Sequence, residues 1–328
     1  MAALLSYGVY LPRYRAPLGE IQRFYGRPGR PRAKALATPA LDEDPITMGF
    51  EAAREALAGQ ATPGALVVVT QAPPVGLRKT SATLAEALGL EDVVPIDLAG
   101  QPGGLLDAFA IAAHMAAADE RPVLVVATDH LVSHAERVAD MLSAGGAAPF
   151  LVGAAGGFAE LGTSARARRE VYDVWRLGTE AEPRYRLEVL FETYGAVAGE
   201  AFASLERATG RAVGEYAAVA ASQPHPQTIR ALGRSGVTQE QLAATSFVGE
   251  IGNIGAASVG VALALALDTA SAGQSIAVFG YGGGEGIAQA IEVVDAPPAI
   301  DAAARIPGAE IALGTYYRWT RGRQAEPH

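Results

Sequence analysis

Residues 65–70 (Ala-Leu-Val-Val-Val-Thr) form a short unbroken apolar run, the pattern of a strand covered on both faces. A helical spacing follows from about Ser81 to Leu90, then a short strand ending at Leu98 and a glycine-rich turn. An apolar helix over residues 105–117 and a strand over residues 122–128 complete the series. The second half goes through the same order: a strand over 216–221, a helix opening at Pro226, a short strand over 246–249, the turn Gly252-Asn253-Ile254-Gly255, an apolar helix over 256–268 and a strand over 275–280. Each series closes with a glycine-rich segment and a strand, over 143–152 and 281–288. The two apolar helices have no polar face, so the pattern predicts that both are buried. Stacking them between two sheets, with outer helices on the far faces, gives a duplicated five-layered α/β/α/β/α body with an internal pseudo-twofold axis. The expected halves are residues 1–163 and 164–328, with 164–195 as an inserted connecting segment. The glycine turns near Gln101 and Asn253 are then expected to converge on one central pocket.

Composition narrows the functions open to such a body. Half the chain is apolar and the mean hydropathy is +0.17, as in a well-packed globular protein. The formal net charge of −9 argues against nucleic acid as a partner. Two local basic runs, residues 27–32 and 165–169, read as solvated loops. No stretch has the length and character of a membrane span, and the N-terminus lacks the basic flank and apolar core of a signal peptide, so a cytoplasmic location is expected. The five histidines show no metal-ligand spacing; His114, His130 and His134 read as packing or surface residues.

The chain contains no cysteine. This removes disulfides, thiolate metal sites and thiol nucleophiles together. It matters most at Ile96-Asp97-Leu98-Ala99-Gly100-Gln101-Pro102-Gly103-Gly104, where a strand turns into the first apolar helix. A buried helix start favours a thiolate, through its free N–H groups and dipole. Gln101 and Pro102 stand there instead, and Pro102 suits a first helical position, where its missing N–H costs little.

Several segments together carry a family likeness: Ser6-Tyr7-Gly8-Val9-Tyr10-Leu11-Pro12-Arg13-Tyr14-Arg15, Leu41-Asp42-Glu43-Asp44 ahead of Glu51-Ala52-Ala53-Arg54, Asp173-Val174-Trp175-Arg176, Ile251-Gly252-Asn253, and Tyr316-Tyr317-Arg318-Trp319-Thr320-Arg321-Gly322. In order and spacing the sequence resembles the archaeal-type hydroxymethylglutaryl-CoA synthases of the thiolase superfamily, relatives of the type III ketoacyl-ACP synthases. The resemblance implies a thiolase-like fold and chemistry that uses a cysteine nucleophile, a glutamate acid/base and a histidine. It places the cysteine at Pro102, or at Gln101 with a one-residue slip, and the glutamate at Gln71. A proline has no nucleophile, and a glutamine amide neither takes nor gives a proton near neutral pH.

The histidine has two registers. Ser222-Gln223-Pro224-His225 overlies the family's His-Gln-Pro-Asn and puts Ser222 at the histidine; His225 with Ile229-Arg230 fits the pattern of the related synthases. Asn253 stands where relatives support an oxyanion, and Tyr281, Gly282 and Gly283 where they line the pocket. Arg78 and Lys79 are the expected contacts for coenzyme A phosphates. The resemblance implies acyl-CoA as ligand, with no tightly bound cofactor and no metal. It also implies a homodimer or a heterodimer with a thiolase-fold paralogue, and a zinc-ribbon/OB-fold acyl-CoA-binding partner. Three functions are then open: a non-condensing subunit or partner in a synthase complex, a cysteine-independent decarboxylase or retro-aldol lyase using an oxyanion site, or an acyltransferase with a substitute nucleophile such as Ser222.

Overall fold

The computed structural model describes residues 1–27, 29–99, 103–130, 142–177 and 183–322. The first half comprises β1 (Ala3–Tyr7), β2 (Tyr14–Pro17), α1 (Leu18–Phe24), β3 (Ala35–Thr38), α2 (Pro45–Leu57), β4 (Ala65–Thr70), α3 (Thr80–Ala87), β5 (Val94–Ala99), α4 (Gly104–Asp119), β6 (Val123–His130) and β7 (Gly145–Gly153). The second comprises β8 (Ala159–Arg168), β9 (Val174–Trp175), β10 (Arg184–Tyr185), α5 (Leu187–Thr209), β11 (Ala218–Ala221), α6 (Pro226–Ala231), α7 (Gln239–Ala243), α8 (Val248–Ile251), α9 (Ala257–Thr269), β12 (Ser275–Gly282), β13 (Glu285–Val293), β14 (Ala309–Glu310) and α10 (Leu313–Gly322).

Nine strands form one hydrogen-bonded series, β11-β12-β13-β8-β1-β7-β6-β4-β5. Its two ends mirror each other about the β8–β1 junction, where Ala3 and Leu4 pair with Glu160 and Ala159. On each side the inner strands run antiparallel and the outer ones parallel. Parallel strands must be covered on both faces, which explains the continuous apolar runs of β4 and β6. The helices α4 and α9 share one apolar core with the inward faces of both ends of this series. Close approach there requires glycine: a Cβ on Gly260 of α9 would lie 2.6 Å from Ala148 Cβ and 3.4 Å from Leu105 of α4. The result is the expected layered α/β architecture.

Two sequence expectations change. From Ala257 to Leu267 every residue of α9 is buried, whereas α4 has an open side on which Ala110 and His114 are exposed. The cause lies next door: among the described residues β5 pairs only with β4 and ends the series, and none of them covers α4 beyond it. The short strand expected over 246–249 is instead the start of α8. There Gln223 Oε1 accepts from the N–H groups of Phe247 and Val248, and Gln223 Nε2 donates to Thr245 O at 2.6 Å. A buried side chain thus satisfies the backbone groups that a strand would have paired in a ladder.

Candidate functional site

At the end of β6, Asp129 is fully buried and binds both halves of the molecule. Its carboxylate accepts from Thr70 Oγ1 (3.0 Å), Gln71 N (3.2 Å), Gln71 Nε2 (2.9 Å) and Ala72 N (3.1 Å) at the end of β4. From the other half it accepts the N–H of Ala256, at 2.9 Å, just before α9. Gly255, at φ +58°, admits this approach, since a Cβ there would lie 2.3 Å from Asp129 Oδ2. Burial pushes the Asp129 carboxyl up to about 6, against the opposing pull of its donors. Gln71 is therefore held as a donor to a carboxylate, and Arg176 reaches its carbonyl at 3.4 Å. Asp129 was absent from the sequence-derived site. The available signal was a carboxylate near the end of β6, just after the apolar run Val123–Ala127, because buried acids occur almost only with partners.

Asn253 lies beside this clamp. Its Oδ1 accepts from Gly255 N at 2.9 Å, and its own N–H and carbonyl pair with Leu142 and Ala144. Anchoring through Oδ1 leaves the Nδ2 amide without a partner among the described residues, so it can donate to a ligand oxygen. Ser222 is placed differently. It is fully buried, its Oγ accepts from Tyr281 N at 2.8 Å, and its carbonyl accepts from Tyr194 Oη at 2.7 Å. Tyr281 is buried too and donates to Asp173 Oδ2 at 2.6 Å; burial and that carboxylate hold its phenol well above the usual range. Both residues join strand ends. Gly282 closes β12, and Gly283 (φ +55°) turns the chain toward β13. The first half meets this strand end at Gly103, where a Cβ would come within 3.0 Å of Gly280 C and Tyr281 N. Gln101, Pro102 and His134 lie outside the described residues.

His225 caps α6. Its Nδ1 accepts from Gln227 N at 3.0 Å, which leaves the ring proton on Nε2. The ring packs on Phe191 at 4.8 Å. Burial first, then the charges of Arg32 and Arg230, lower its pKa to about 4. Those arginines belong to a cleft of about 850 Å³ whose lining includes Arg23, Arg30, Arg32, Lys34 and Arg230. Lys34 pairs with Glu250 at 2.7 Å and Arg23 with Glu20 at 3.8 Å. Arg30, Arg32 and Arg230 have no carboxylate partner among the described residues. The basic run 27–32, read as a solvated loop, thus contributes Arg30 and Arg32 to a cation-lined cleft. The other run is ion-paired: Arg166 with Asp107 and Glu285, Arg168 with Glu285, Arg169 with Glu200. Arg78 and Lys79 do not line the cleft; Lys79 Nζ donates to Pro95 O ahead of α3. A second cleft, of about 760 Å³, runs between β5 and α4 and is lined by Leu98, Ala110, Ile111 and Met115. Among the described residues no cluster of acids and histidines could hold a metal, and no helix is long and apolar enough to cross a membrane.

Comparison with known proteins places this geometry. No family model matches the chain. It is 29% identical over 305 residues to a hydroxymethylglutaryl-CoA synthase of Aeropyrum pernix, covering 87% of this chain and 82% of that one. It is 27% identical over 308 residues to the synthase of Methanocaldococcus jannaschii, covering 87% of each. Among solved structures, an HMG-CoA synthase complexed with CoA superposes with a TM-score of 0.87 at 16% identity, over 97% of this chain and 89% of that one. The fold is thiolase-like. A priming β-ketosynthase of a polyketide pathway shares it, with a TM-score of 0.77 at 22% identity over 90% of this chain and 97% of its own. The HMG synthase of the curacin pathway does so as well, at 0.86 and 16% identity over 99% and 89%. The chain is thus HMG-CoA synthase-like along most of its length.

Proposed function

We propose that this protein is a non-condensing relative of the HMG-CoA synthases that holds an acyl-CoA thioester as a subunit or partner in a synthase complex. The observation that carries the reading is the hydrogen bond from Gln71 Nε2 to Asp129. At the position where the resemblance implies an acid/base, this chain has an amide fixed as a donor, in a sequence without any cysteine. Neither half of the implied chemistry, acylation or proton transfer, then has its group. Burial of Ser222 and the hydrogen bond its oxygen accepts from Tyr281 N argue against it as a substitute nucleophile. Binding remains available: Arg30, Arg32 and Arg230 suit the phosphates of coenzyme A, in place of Arg78 and Lys79. For a second thiolase-fold chain, identical or paralogous, the exposed edge of β5 and the open side of α4 form the matching surface. The zinc-ribbon/OB-fold protein is the proposed source or acceptor of the acyl group, and a cytoplasmic setting suits that role.

Titration calorimetry with acetyl-CoA tests the binding half. Saturable binding lost in an Arg32→Ala/Arg230→Ala variant is expected, and no binding by the wild type would exclude the reading. A second reading, a cysteine-independent decarboxylase or retro-aldol lyase, draws on the Asn253 amide, which can stabilise an enolate oxygen. Asn253→Asp retains the acceptor for Gly255 N and removes the donor. A thioester-cleaving activity that disappears in this variant would favour the lyase over the binding protein.

A further inference from the structure

The segment Asp173-Val174-Trp175-Arg176 has no part in the binding reading, yet the structure fixes it firmly. Asp173 is buried; its carboxylate accepts from Tyr281 Oη and Val174 N, each at 2.6 Å, and its carbonyl accepts from Arg186 N at 2.7 Å. The Trp175 ring lies 5.3 Å from the Arg186 guanidinium carbon and meets Tyr172 edge-on at 6.0 Å. From this base Arg176 reaches the first half, where its Nη2 donates to the Gln71 carbonyl at 3.4 Å. Arg176 is exposed and has no carboxylate partner among the described residues. One long contact commits little of a guanidinium with five N–H donors. Gln71 is the first-half end of the Asp129 clamp, and Asn253 stands at its second-half end, bound to Gly255 N next to Ala256. The clamp thus has a neutral amide donor at one end and a guanidinium at the other. That pair suits a ligand with a neutral oxygen and, further along, an anionic one.

We propose that Arg176 is a specificity-determining residue that selects thioesters whose acyl chain ends in a carboxylate. The inference rests on the acyl-CoA reading and names the acyl class within it. The thioester carbonyl takes the Asn253 amide, and the terminal carboxylate takes Arg176 in a charge-assisted, two-pronged pair. A chain ending in a methyl group offers the guanidinium nothing. The phosphates of the nucleotide end are assigned to a separate cleft, which Arg176 does not line.

The test is calorimetric titration of the wild type, Arg176→Ala and Arg176→Lys with two series, malonyl- to adipoyl-CoA and propionyl- to hexanoyl-CoA. Within each pair of equal length only the terminal group differs, so the nucleotide end contributes equally to both. For at least one length the wild type should bind the carboxylate member about five- to fifty-fold more tightly, as for a part-exposed charge-assisted pair. Arg176→Ala should abolish that preference and leave the methyl-ended series within about two-fold, while Arg176→Lys should keep part of it. Equal affinity for both series in the wild type, or a preference that survives Arg176→Ala, would overturn the role of Arg176 and leave the acyl-CoA reading standing. An equal loss for both series in Arg176→Ala would overturn it too, by making the guanidinium a support for Gln71. Failure of the wild type to bind any member of either series would overturn both this inference and the acyl-CoA reading beneath it.

Discussion

Asp129 and His225 are two buried titratable side chains displaced in opposite senses, and their effects on stability oppose each other. Asp129 has its carboxyl raised from 3.8 to about 6, so between those values the folded chain binds more protons than the unfolded one, and stability falls as pH rises. His225 is lowered from 6.5 to about 4, so over that interval the unfolded chain binds more protons, and stability falls as pH drops. Urea unfolding at pH 4.5 and 6.5 separates them. Relative to wild type, His225→Asn should gain stability on going to pH 4.5, while Asp129→Asn should lose it; the same pH response in both variants would contradict the assignment. Asp129→Ala removes the acceptor of Gln71 N, Gln71 Nε2, Thr70 Oγ1 and Ala256 N, while Ala72 N keeps Thr70 Oγ1 as a second acceptor, and it is expected to destabilise by about 3–5 kcal/mol, read from the same unfolding curves. Legibility at this scale was uneven. Residue type and position gave Gln71 and Asn253, but the roles of Ser222 and Tyr281 depend on their contact across the β11–β12 junction and on Asp173 just before β9, which a linear pattern does not encode. Arg30 and Arg32 resembled a solvated charge run because Arg230, which faces the same cleft, is remote in sequence.

Among elements, the central pair of helices was readable from periodicity alone, and their surroundings were not. An all-apolar helix announces burial, and α9 fulfils it; α4 is comparably apolar but carries Asp107 and His114 seven residues apart, on the side left open beside β5, the last strand in the sheet. The failed strand at 246–249 has a similar cause, since Gln223 outcompetes the ladder from another element. Gly260→Ala drives a methyl toward Ala148 and Phe150 across the α9–β7 contact, and a loss of about 1–3 kcal/mol in chemical denaturation is expected. Gly233→Ala, where nothing lies within 4 Å of the added carbon, should be neutral or stabilising by up to about 1 kcal/mol. Asp97 accepts from Thr80 N and Ser81 N at 2.8 Å each, so Asp97→Ala should cost about 1 kcal/mol by uncapping α3.

For the whole molecule, the duplicated plan was legible because both halves repeat one hydrophobic order, and the mirrored strand series follows it. What holds the halves in register, Asp129 on Ala256 and Gly103 on Tyr281, was not, because each is a single contact between distant turns. If the β5–α4 side is covered by a second copy, Ala110→Arg should shift sedimentation from dimer to monomer with unchanged unfolding, and an unaltered dimer would move the interface elsewhere. A thiolase-like body with Gln71 bound to Asp129 and no cysteine is proposed to hold acyl-CoA without condensing it. The most direct test is to incubate the purified protein with acetyl-CoA and acetoacetyl-CoA and quantify hydroxymethylglutaryl-CoA by mass spectrometry. No product above the protein-free control is expected, and its formation over repeated turnovers would overturn the non-condensing role.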